Sequence, residues 1–224
     1  NIVTIEDPVE YQLNGINQIP VNPIIGVDFD SGLSAIVRQD PDVIMVGEIR
    51  NISTASISIQ AAQTGHLVFS TLHTRNASGS ITRLIDMGIE PFLINSAFLG
   101  VIGQRLVRKI CPNCKRQVAP EEYTSFKESQ FILQLEKISE GELTLFKGDG
   151  CKICDNTGYK GRTGIFEIML FEEKVKNLIN QKANSEKIHN EAKSQGMRTM
   201  KDDGLNKVLK GITSIDEIAR VLDL

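Results

Sequence analysis

Short apolar runs alternate with helical patterns through the first hundred residues of the chain. Three of these runs, at positions 2–5, 43–49 and 67–72, predict buried strands. The intervals between them carry apolar residues at the three- and four-residue spacing of helices. This alternation predicts an α/β fold with a largely parallel sheet.

Several residues in this half are typical of helix starts: Asp30 or Ser31, Ser53, Asn76 and Pro91. Gly65 and Gly88 follow two of the helical patterns and are expected to end those helices in the left-handed conformation. The helix that begins at Pro91 is expected to be a longer one that runs towards Arg108.

The pattern changes after position 108, where the cysteines surround a polar middle rich in Glu and Lys. A strand is predicted over residues 162–169, and the chain is helical by pattern from Glu172 onward. Ser214 and Glu217 have the spacing of a capping box for the last helix. We therefore divide the chain into three segments, an α/β core, a cysteine-containing insertion, and a return strand with a helical subdomain, at residues 1–108, 109–160 and 161–224.

The four cysteines form two C-x-x-C pairs, Cys111 with Cys114 and Cys151 with Cys154, in a chain without secretory features. Two such turns supply the four thiolates that Zn²⁺ prefers in a tetrahedral site. The long interval between the pairs needs an inserted hairpin or helix. A redox dithiol would need only one pair, and a cytosolic compartment disfavours disulfides. Structural zinc is the favoured interpretation.

An acidic run follows the first predicted strand. Glu6, Asp7 and Glu10 lie within five residues, and Pro8 stiffens the turn between them. Carboxylates this close repel one another unless a cation or solvent separates them. A site for a metal ion and water is one interpretation, and an ordinary solvated acidic loop is the other.

Polar side chains also mark the ends of the other two strands. Glu48 follows an apolar run, where a carboxylate is costly to bury alone, so it binds Mg²⁺ or pairs with Arg50. His73 follows the third strand, at the edge where open α/β sheets bind ligands, which favours a contact with a γ-phosphate. His66 precedes that strand, and a hydrogen bond to a neighbouring loop explains it at least as well.

Composition narrows the function classes. The chain has 41% hydrophobic and 24% charged residues, as in ordinary globular proteins, and its net charge of −3 argues against a nucleic-acid partner. No apolar run is long enough to span a membrane, and no signal peptide is present. The sequence also lacks a G-x-x-x-x-G-K-[ST] phosphate loop. Because Asn1 leads directly into a strand, we expect the chain to be a fragment of a longer protein.

Taken together, these motifs resemble those of the type II secretion and type IV pilus assembly ATPases. The acidic run resembles the aspartate box of that family, the segment around Glu48 its Walker B motif, and the segment around the histidines its histidine box; these are residues 4–11, 38–50 and 64–74. The two C-x-x-C pairs resemble its tetracysteine region, which argues for the secretion or pilus-extension branch. The resemblance covers essentially the whole chain.

The resemblance implies a truncated RecA-like P-loop core that acts on ATP with Mg²⁺, and a zinc subdomain. Glu10 would polarise the attacking water, Glu48 would hold Mg²⁺, and His73 would contact the γ-phosphate. We assign three further residues to cofactor binding beside Glu48: Glu6, Asp7 and His66. The four cysteines would bind Zn²⁺. Asn51 departs from the family pattern, which usually has Asp at this position.

The implied working protein is a cytoplasmic homo-hexamer, peripheral at the inner membrane of a bacterium, that powers type II protein secretion or type IV pilus assembly. Its expected partners are the inner-membrane platform and cytoplasmic-ring proteins of that machine, and not nucleic acid. Without the phosphate loop, we expect this chain alone to be inactive. The alternative function is a zinc-stapled module that docks on the platform protein.

Overall fold

We describe a computed structural model of the chain over residues 1–123, 126–139 and 143–222, without the side chains of residues 126–129. The chain divides into two compact units. The first contains Asn1–Val101 and Met169–Gln195, and the second contains Ile102–Ile168 and the residues from Gly196 onward. Each unit contains a hydrophobic core cluster of its own.

The strands are β1 (Ile2–Glu6), β2 (Asn17–Pro20), β3 (Val43–Val46), β4 (Leu67–Ser70), β5 (Gly100–Ile110), β6 (Lys115–Val118), β7 (Leu145–Gly148) and β8 (Tyr159–Leu170). The α-helices are α1 (Phe29–Ile36), α2 (Ile52–Gln63), α3 (Ala77–Asp86), α4 (Pro91–Ala97), α5 (Phe126–Ile138), α6 (Glu173–Asn180), α7 (Ser185–Ser194), α8 (Met200–Leu209) and α9 (Ile215–Val221). Among the described residues, none of these helices combines the length and the apolar character needed to cross a membrane.

The first unit is built on a four-stranded parallel sheet with the order β2-β1-β3-β4. Ile5 pairs with Val46, and Val46 pairs with Ser70, so the carboxyl ends of three adjacent strands lie level. This confirms the predicted α/β fold with a parallel sheet. Strand β2 has no counterpart among the predicted strands, because its four residues include two amides and end in proline.

The core of the first unit lies on one face of this sheet. It contains alternate residues of β1 and β3 and the inner face of α1: Val3, Ile5, Ile44, Val46, Leu33 and Ile36. Helix α2 adds Ala61, and Val68 of β4 packs against the same cluster. These helices therefore hold the strands from one side and leave the carboxyl edge of the sheet accessible.

Strand β4 corrects the prediction of a buried strand at 67–72. Val68 faces the core, but Leu67 is 43% exposed and Phe69 is 55% exposed. Phe69 is in register with Met45, which is in register with Thr4, so these residues share the second face of the sheet. In the described part of the chain, β4 is an edge strand and is covered on one face only.

Two predicted helix starts are wrong by a few residues. Asp28, and not Asp30 or Ser31, caps α1, because its carboxylate accepts a hydrogen bond from the Ser31 backbone N–H. Asn51, and not Ser53, caps α2 through the Thr54 N–H at 2.8 Å. Either Asn or Asp can cap in this way, so the departure at position 51 keeps the helix start.

Other helix boundaries agree with the prediction. Asn76 caps α3 through the Gly79 N–H at 2.8 Å. Gly65 and Gly88 follow α2 and α3 with φ of +107° and +97°, the left-handed conformation that glycine tolerates best.

The long helix expected from Pro91 towards Arg108 is wrong. Helix α4 ends at Ala97, and the chain continues as strand β5. Gly100 lies so close to β8 that an added Cβ would come within 2.7 Å of the Met169 carbonyl oxygen. Glycine at this close contact favours the strand pairing and disfavours a helix interior.

The second unit combines the paired strands β5 and β8 with a second pair of strands, β6 and β7, which are antiparallel. Its core contains side chains from β5, β8 and three helices, among them Val107, Ile165, Leu135, Leu205 and Ile218. Strand β8 confirms the predicted return strand, and the antiparallel pair β6–β7 together with α5 bridges the two cysteine pairs. The core thus mixes residues of the predicted insertion and of the predicted helical subdomain.

The sequence predicts that Glu217 completes a capping box with Ser214 at the last helix, but the structure gives its carboxylate other partners. Ser214 caps α9, but the fully buried side chain of Glu217 accepts hydrogen bonds from Arg108 and Arg220. Burial alone would raise the pKa of Glu217, but the hydrogen bonds from Arg220 and Arg108 lower that pKa to about 2. Arg108 is therefore part of a buried ion-pair network with Glu217 and Arg220.

Candidate functional site

The loops after β1, β3 and β4 meet at the carboxyl edge of the sheet. The Gly47 N–H donates to the Ile5 carbonyl at 2.8 Å, and the Ile49 N–H donates to the Thr71 carbonyl at 3.0 Å. The Thr71 hydroxyl donates to the Gly47 carbonyl at 2.6 Å. An added Cβ at Gly47 would lie 3.2 Å from the Ile5 carbonyl oxygen, so a small residue suits this close approach.

Glu48 is central to this edge. Its side chain is 15% exposed, its Oε2 lies 3.2 Å from His73 Nε2, and its Oε1 is hydrogen-bonded to Arg50. The hydrogen bond from Arg50 lowers the pKa of Glu48, so the carboxylate is ionised at neutral pH. The pairing of Glu48 with Arg50 is confirmed, and Mg²⁺ binding by Glu48 stays a prediction.

The acidic run after β1 is divided between three environments. Glu6 Oε1 accepts hydrogen bonds from the Thr4 hydroxyl at 2.5 Å and from the Gln18 amide at 2.9 Å. Asp7 Oδ2 lies 3.8 Å from Arg50 Nη1, which links the acidic run to Glu48. Glu10 is exposed in the loop between β1 and β2. Among the described residues its side chain has no hydrogen-bonding partner.

The two histidines lie at opposite ends of β4. His73 follows the strand, and its side chain is 86% exposed. His66 precedes the strand, and its Nδ1 lies 2.8 Å from the Ala61 carbonyl, which makes this nitrogen the donor. The structure brings His73 to Glu48 but does not bring His66 to that edge. A nucleotide contact by His66 stays a prediction.

The carboxyl edge has the chemistry of a cation and phosphate site. Carboxylate oxygens are preferred by Mg²⁺, and Glu48 is the ionised carboxylate nearest the centre of the edge. Glu6 ends β1 and Asp7 begins the neighbouring loop, where they could add ligands directly or through water. His73 is exposed and could donate to an anion placed over the edge.

The four cysteines converge in the second unit. All their sulfurs lie within 4.8 Å of one another. The Sγ–Sγ distance is 3.9 Å between Cys111 and Cys151, 3.8 Å between Cys114 and Cys154, and 3.7 Å between Cys151 and Cys154. In a tetrahedral site with Zn–S bonds of about 2.3 Å, the sulfurs are about 3.8 Å apart. The residues present therefore fit a single Zn²⁺ ion.

Polar groups favour the thiolate form of Cys151 and Cys154, whereas burial raises the pKa of the Cys114 thiol to about 12. The Asn113 side-chain amide donates to Cys151 Sγ at 3.3 Å and lowers the pKa of that thiol to about 6. The Cys151 backbone N–H donates to Cys154 Sγ at 3.2 Å. Such donors typically hydrogen-bond the ligand atoms of a thiolate metal site. All four cysteines are free of disulfides.

Comparison with known proteins identifies the family. The family model described as "Type II/IV secretion system protein" matches residues 1–220. The type II secretion system ATPase E of Vibrio cholerae is 48% identical over 221 residues, which cover 99% of this chain and 42% of the relative. The chain belongs to the type II/IV secretion system protein family. The resemblance drawn from the motifs is thereby confirmed.

Other members of the family support the same assignment. The type IV pilus assembly ATPase PilB of Thermus thermophilus is 47% identical over 227 residues, covering 100% of this chain and 25% of PilB. The solved structure of the pilus retraction motor PilT with bound ADP matches with a TM-score of 0.66 and 26% identity. That match covers 98% of this chain and 51% of PilT. The chain thus spans less than half the length of the curated relatives named here.

Sequence reasoning missed Thr4 and Gln18, which both hydrogen-bond Glu6. Thr71 is predicted from the sequence as a hydrogen-bond donor at the carboxyl edge, but its contact with the Gly47 carbonyl on the β3 loop is not. No local pattern marks these contacts, because each contact depends on strand register. A polar residue inside a predicted buried strand, as Thr4 is, was the one available signal.

Proposed function

We propose that this chain is part of an ATPase motor for type II protein secretion or type IV pilus assembly. The observation that carries the proposal is the ionised Glu48 carboxylate, which lies beside His73 at the carboxyl edge of a parallel sheet. Ligands of open α/β sheets bind at this edge. The relatives whose names state this function span the whole chain at 47–48% identity.

Each residue of the edge has a proposed role in ATP hydrolysis. Glu48 holds Mg²⁺, directly or through water, and Glu10 acts as the general base for the attacking water. His73 donates to the γ-phosphate. Glu6 and Asp7 hold the acidic loop beside the metal, and His66 is a more remote cofactor ligand. Positioning and charge neutralisation suffice for this reaction, because phosphoryl transfer asks for little covalent chemistry from the protein.

Exposed apolar residues on the second face of the sheet support a larger, RecA-like core in the full-length protein. Ile2, Leu67 and Phe69 are 38%, 43% and 55% exposed and lie on the face opposite the core cluster. Apolar residues of this size on one continuous face are typical of a surface that another segment covers. We propose that a segment outside residues 1–224 covers this face and contributes the phosphate-binding loop.

A phosphate-release assay tests this proposal. The full-length protein is expected to hydrolyse ATP in the presence of Mg²⁺, and residues 1–224 alone are expected to stay at background. Turnover by residues 1–224 that is lost on Glu48→Gln would contradict the need for a second half. Absence of turnover in the full-length protein, with its partners present, would contradict the motor proposal itself.

We propose that the four cysteines bind one structural Zn²⁺. Metal analysis of the purified protein is expected to find one zinc per chain, and a thiol-competing chelator is expected to lower the melting temperature. A protein that folds identically with no bound metal would contradict this assignment.

A second candidate function is docking on the inner-membrane platform protein. Ile102, Leu106, Phe166 and Ile168 of the second unit are 40–64% exposed on β5 and β8, and we call them the exposed ribbon face. The same strands carry exposed cations: Lys109, Lys160 and Arg162. An acidic, apolar segment of the platform protein would complement this surface.

A pull-down with the cytoplasmic part of the platform protein tests docking. Ile168→Asp is expected to weaken binding, and Leu133→Asp, at a 58% exposed residue of α5, is the matched control. Equal binding by both variants and the wild type would contradict this candidate.

In the motor proposal the working protein is a cytoplasmic homo-hexamer at the inner membrane, and both functions then belong to one assembly.

A further inference from the structure

The loop between β1 and β2 carries Glu10 but is not held by apolar packing. Tyr11 is 82% exposed and Leu13 is 53% exposed, so the two large side chains after Glu10 contribute little buried area. A general base must lie within hydrogen-bonding reach of its water, and small displacements are costly. Some polar contact therefore has to fix the backbone of this loop.

Gln18 supplies that contact. Its Oε1 accepts a hydrogen bond from the Leu13 N–H at 2.7 Å, and its Nε2 donates to the Tyr11 carbonyl at 3.0 Å. The same Nε2 donates to Glu6 Oε1 at 2.9 Å. The three bonds use the acceptor and both donor hydrogens of the amide. One side chain thus connects the backbone next to Glu10 with the carboxylate at the end of β1.

The strand register makes this arrangement rigid at the other end. Gln18 lies on β2 directly opposite Thr4 of β1. The Thr4 hydroxyl donates to the same Glu6 oxygen at 2.5 Å, and the Val21 N–H donates to the Glu6 carbonyl at 2.8 Å. Gln18 is therefore anchored in the sheet, and the loop is anchored to Gln18.

We infer that Gln18 is a positioning residue for ATP hydrolysis, which fixes Glu10 by holding the loop backbone at Tyr11 and Leu13. The inference rests on the proposed function, because it requires Glu10 to act in the reaction. Gln18 itself touches no reacting atom. In this proposal its effect on turnover passes through Glu10, and this separates it from a residue that only stabilises the fold.

Steady-state kinetics of the full-length protein tests the inference. Gln18→Leu is expected to lower kcat for ATP by about 10- to 100-fold, as for other losses of positioning, with KM changed less than about twofold. Gln12→Leu is the matched control, because Gln12 is an exposed residue of the same loop without a hydrogen bond among the described residues. That control is expected to keep the wild-type kcat.

A double-mutant cycle with Glu10→Gln makes the result specific. If Gln18 acts through Glu10, Gln18→Leu lowers kcat by less than about twofold when Glu10 is already replaced. An equal, multiplying loss in both backgrounds would overturn the inference, as would wild-type kcat in the single variant. If Glu10→Gln itself leaves kcat unchanged, the proposed base fails, and the inference about Gln18 fails with it for that separate reason.

Discussion

The carboxyl edge of the sheet and the tetracysteine cluster place their functional atoms in different ways. In the second unit, four side chains from two tight turns bring four sulfurs within 4.8 Å of one another. In the first unit, the loops after β3 and β4 bring together one carboxylate, one histidine and one arginine, and two of these side chains are more than half exposed. The cluster is complete within the chain, whereas the edge leaves room for a ligand and for further protein.

This difference predicts that the two sites respond differently to mutation. A closed metal site contributes free energy of folding, so its loss unfolds the structure around it. Side chains at an open edge bind ligands and contribute little to local stability. Replacing one of them is therefore expected to change function and to leave the fold in place.

The largest expected effect is at the cysteines. Cys111→Ser removes one ligand of the proposed zinc and is expected to unfold much of the second unit, since structural zinc contributes on the order of 10 kcal/mol to folded small domains. Hydrogen exchange is expected to show lost protection in β6, β7 and α5 while β1 and β3 stay protected. Unchanged protection in the second unit would contradict the claim that the tetracysteine cluster stabilises the fold.

The buried ion pair predicts the next largest effect. Arg108→Met leaves the fully buried Glu217 with Arg220 as its remaining arginine partner, so the expected cost is that of lost hydrogen bonds to a charged group, about 1.5–3 kcal/mol. The expected result is a clear drop in the free energy of unfolding by denaturant. Arg162→Met, at an exposed cation of β8, is the control and should stay within about 0.5 kcal/mol of wild type. Equal stability of both variants would contradict a stabilising role for the ion pair between Arg108 and Glu217.

Glu217 also predicts a pH dependence of the second unit. Its pKa is lowered to about 2 in the folded protein, so the folded state favours the ionised form. The resulting stabilisation is present above pH 4.5 and is lost as the pH falls towards 2. Its size is roughly 2 kcal/mol, allowing for solvent around the two arginines. Denaturant unfolding at pH values between 6 and 3 measures this stabilisation. In Glu217→Gln the free energy of unfolding should depend less on pH over this range.

The smallest predicted effect compares the two histidines of the first unit. His73→Asn in the full-length protein is expected to lower ATP turnover about tenfold, because one hydrogen bond to a charged group is worth about 1.5 kcal/mol. His66→Asn is the companion variant, since His66 lies at the opposite end of β4. A loss in the His66 variant as large as in the His73 variant would contradict the more remote role proposed for His66.

Much of this contrast follows from local sequence. C-x-x-C spacing specifies two converging sulfurs through one turn, so the cluster is predictable without knowing the fold. The apolar runs predict β1 and β3, and Glu48 follows one of them. Gly65 and Gly88 mark helix ends because left-handed backbone favours glycine.

The remainder depends on contacts between distant residues. Gln18 contacts Glu6 only because β2 pairs with β1, and β2 has no apolar pattern of its own. Glu217 and Arg108 are 109 positions apart in the sequence. The hydrogen bond between them takes the Glu217 side chain away from the capping box that its spacing from Ser214 predicts. Strand β5 replaces a predicted helix because Gly100 packs tightly against β8. In each case tertiary pairing decides between two locally acceptable structures.

ATP turnover by the full-length protein carrying Glu48→Gln tests the central claim most directly. The substitution keeps the size of the side chain and a hydrogen-bonding group for His73 while it removes the charge proposed to hold Mg²⁺. We expect turnover to fall by about 100-fold or more, in line with the loss of several kcal/mol of metal-dependent stabilisation, with the melting temperature preserved. Wild-type turnover in this variant would contradict the account of the carboxyl edge.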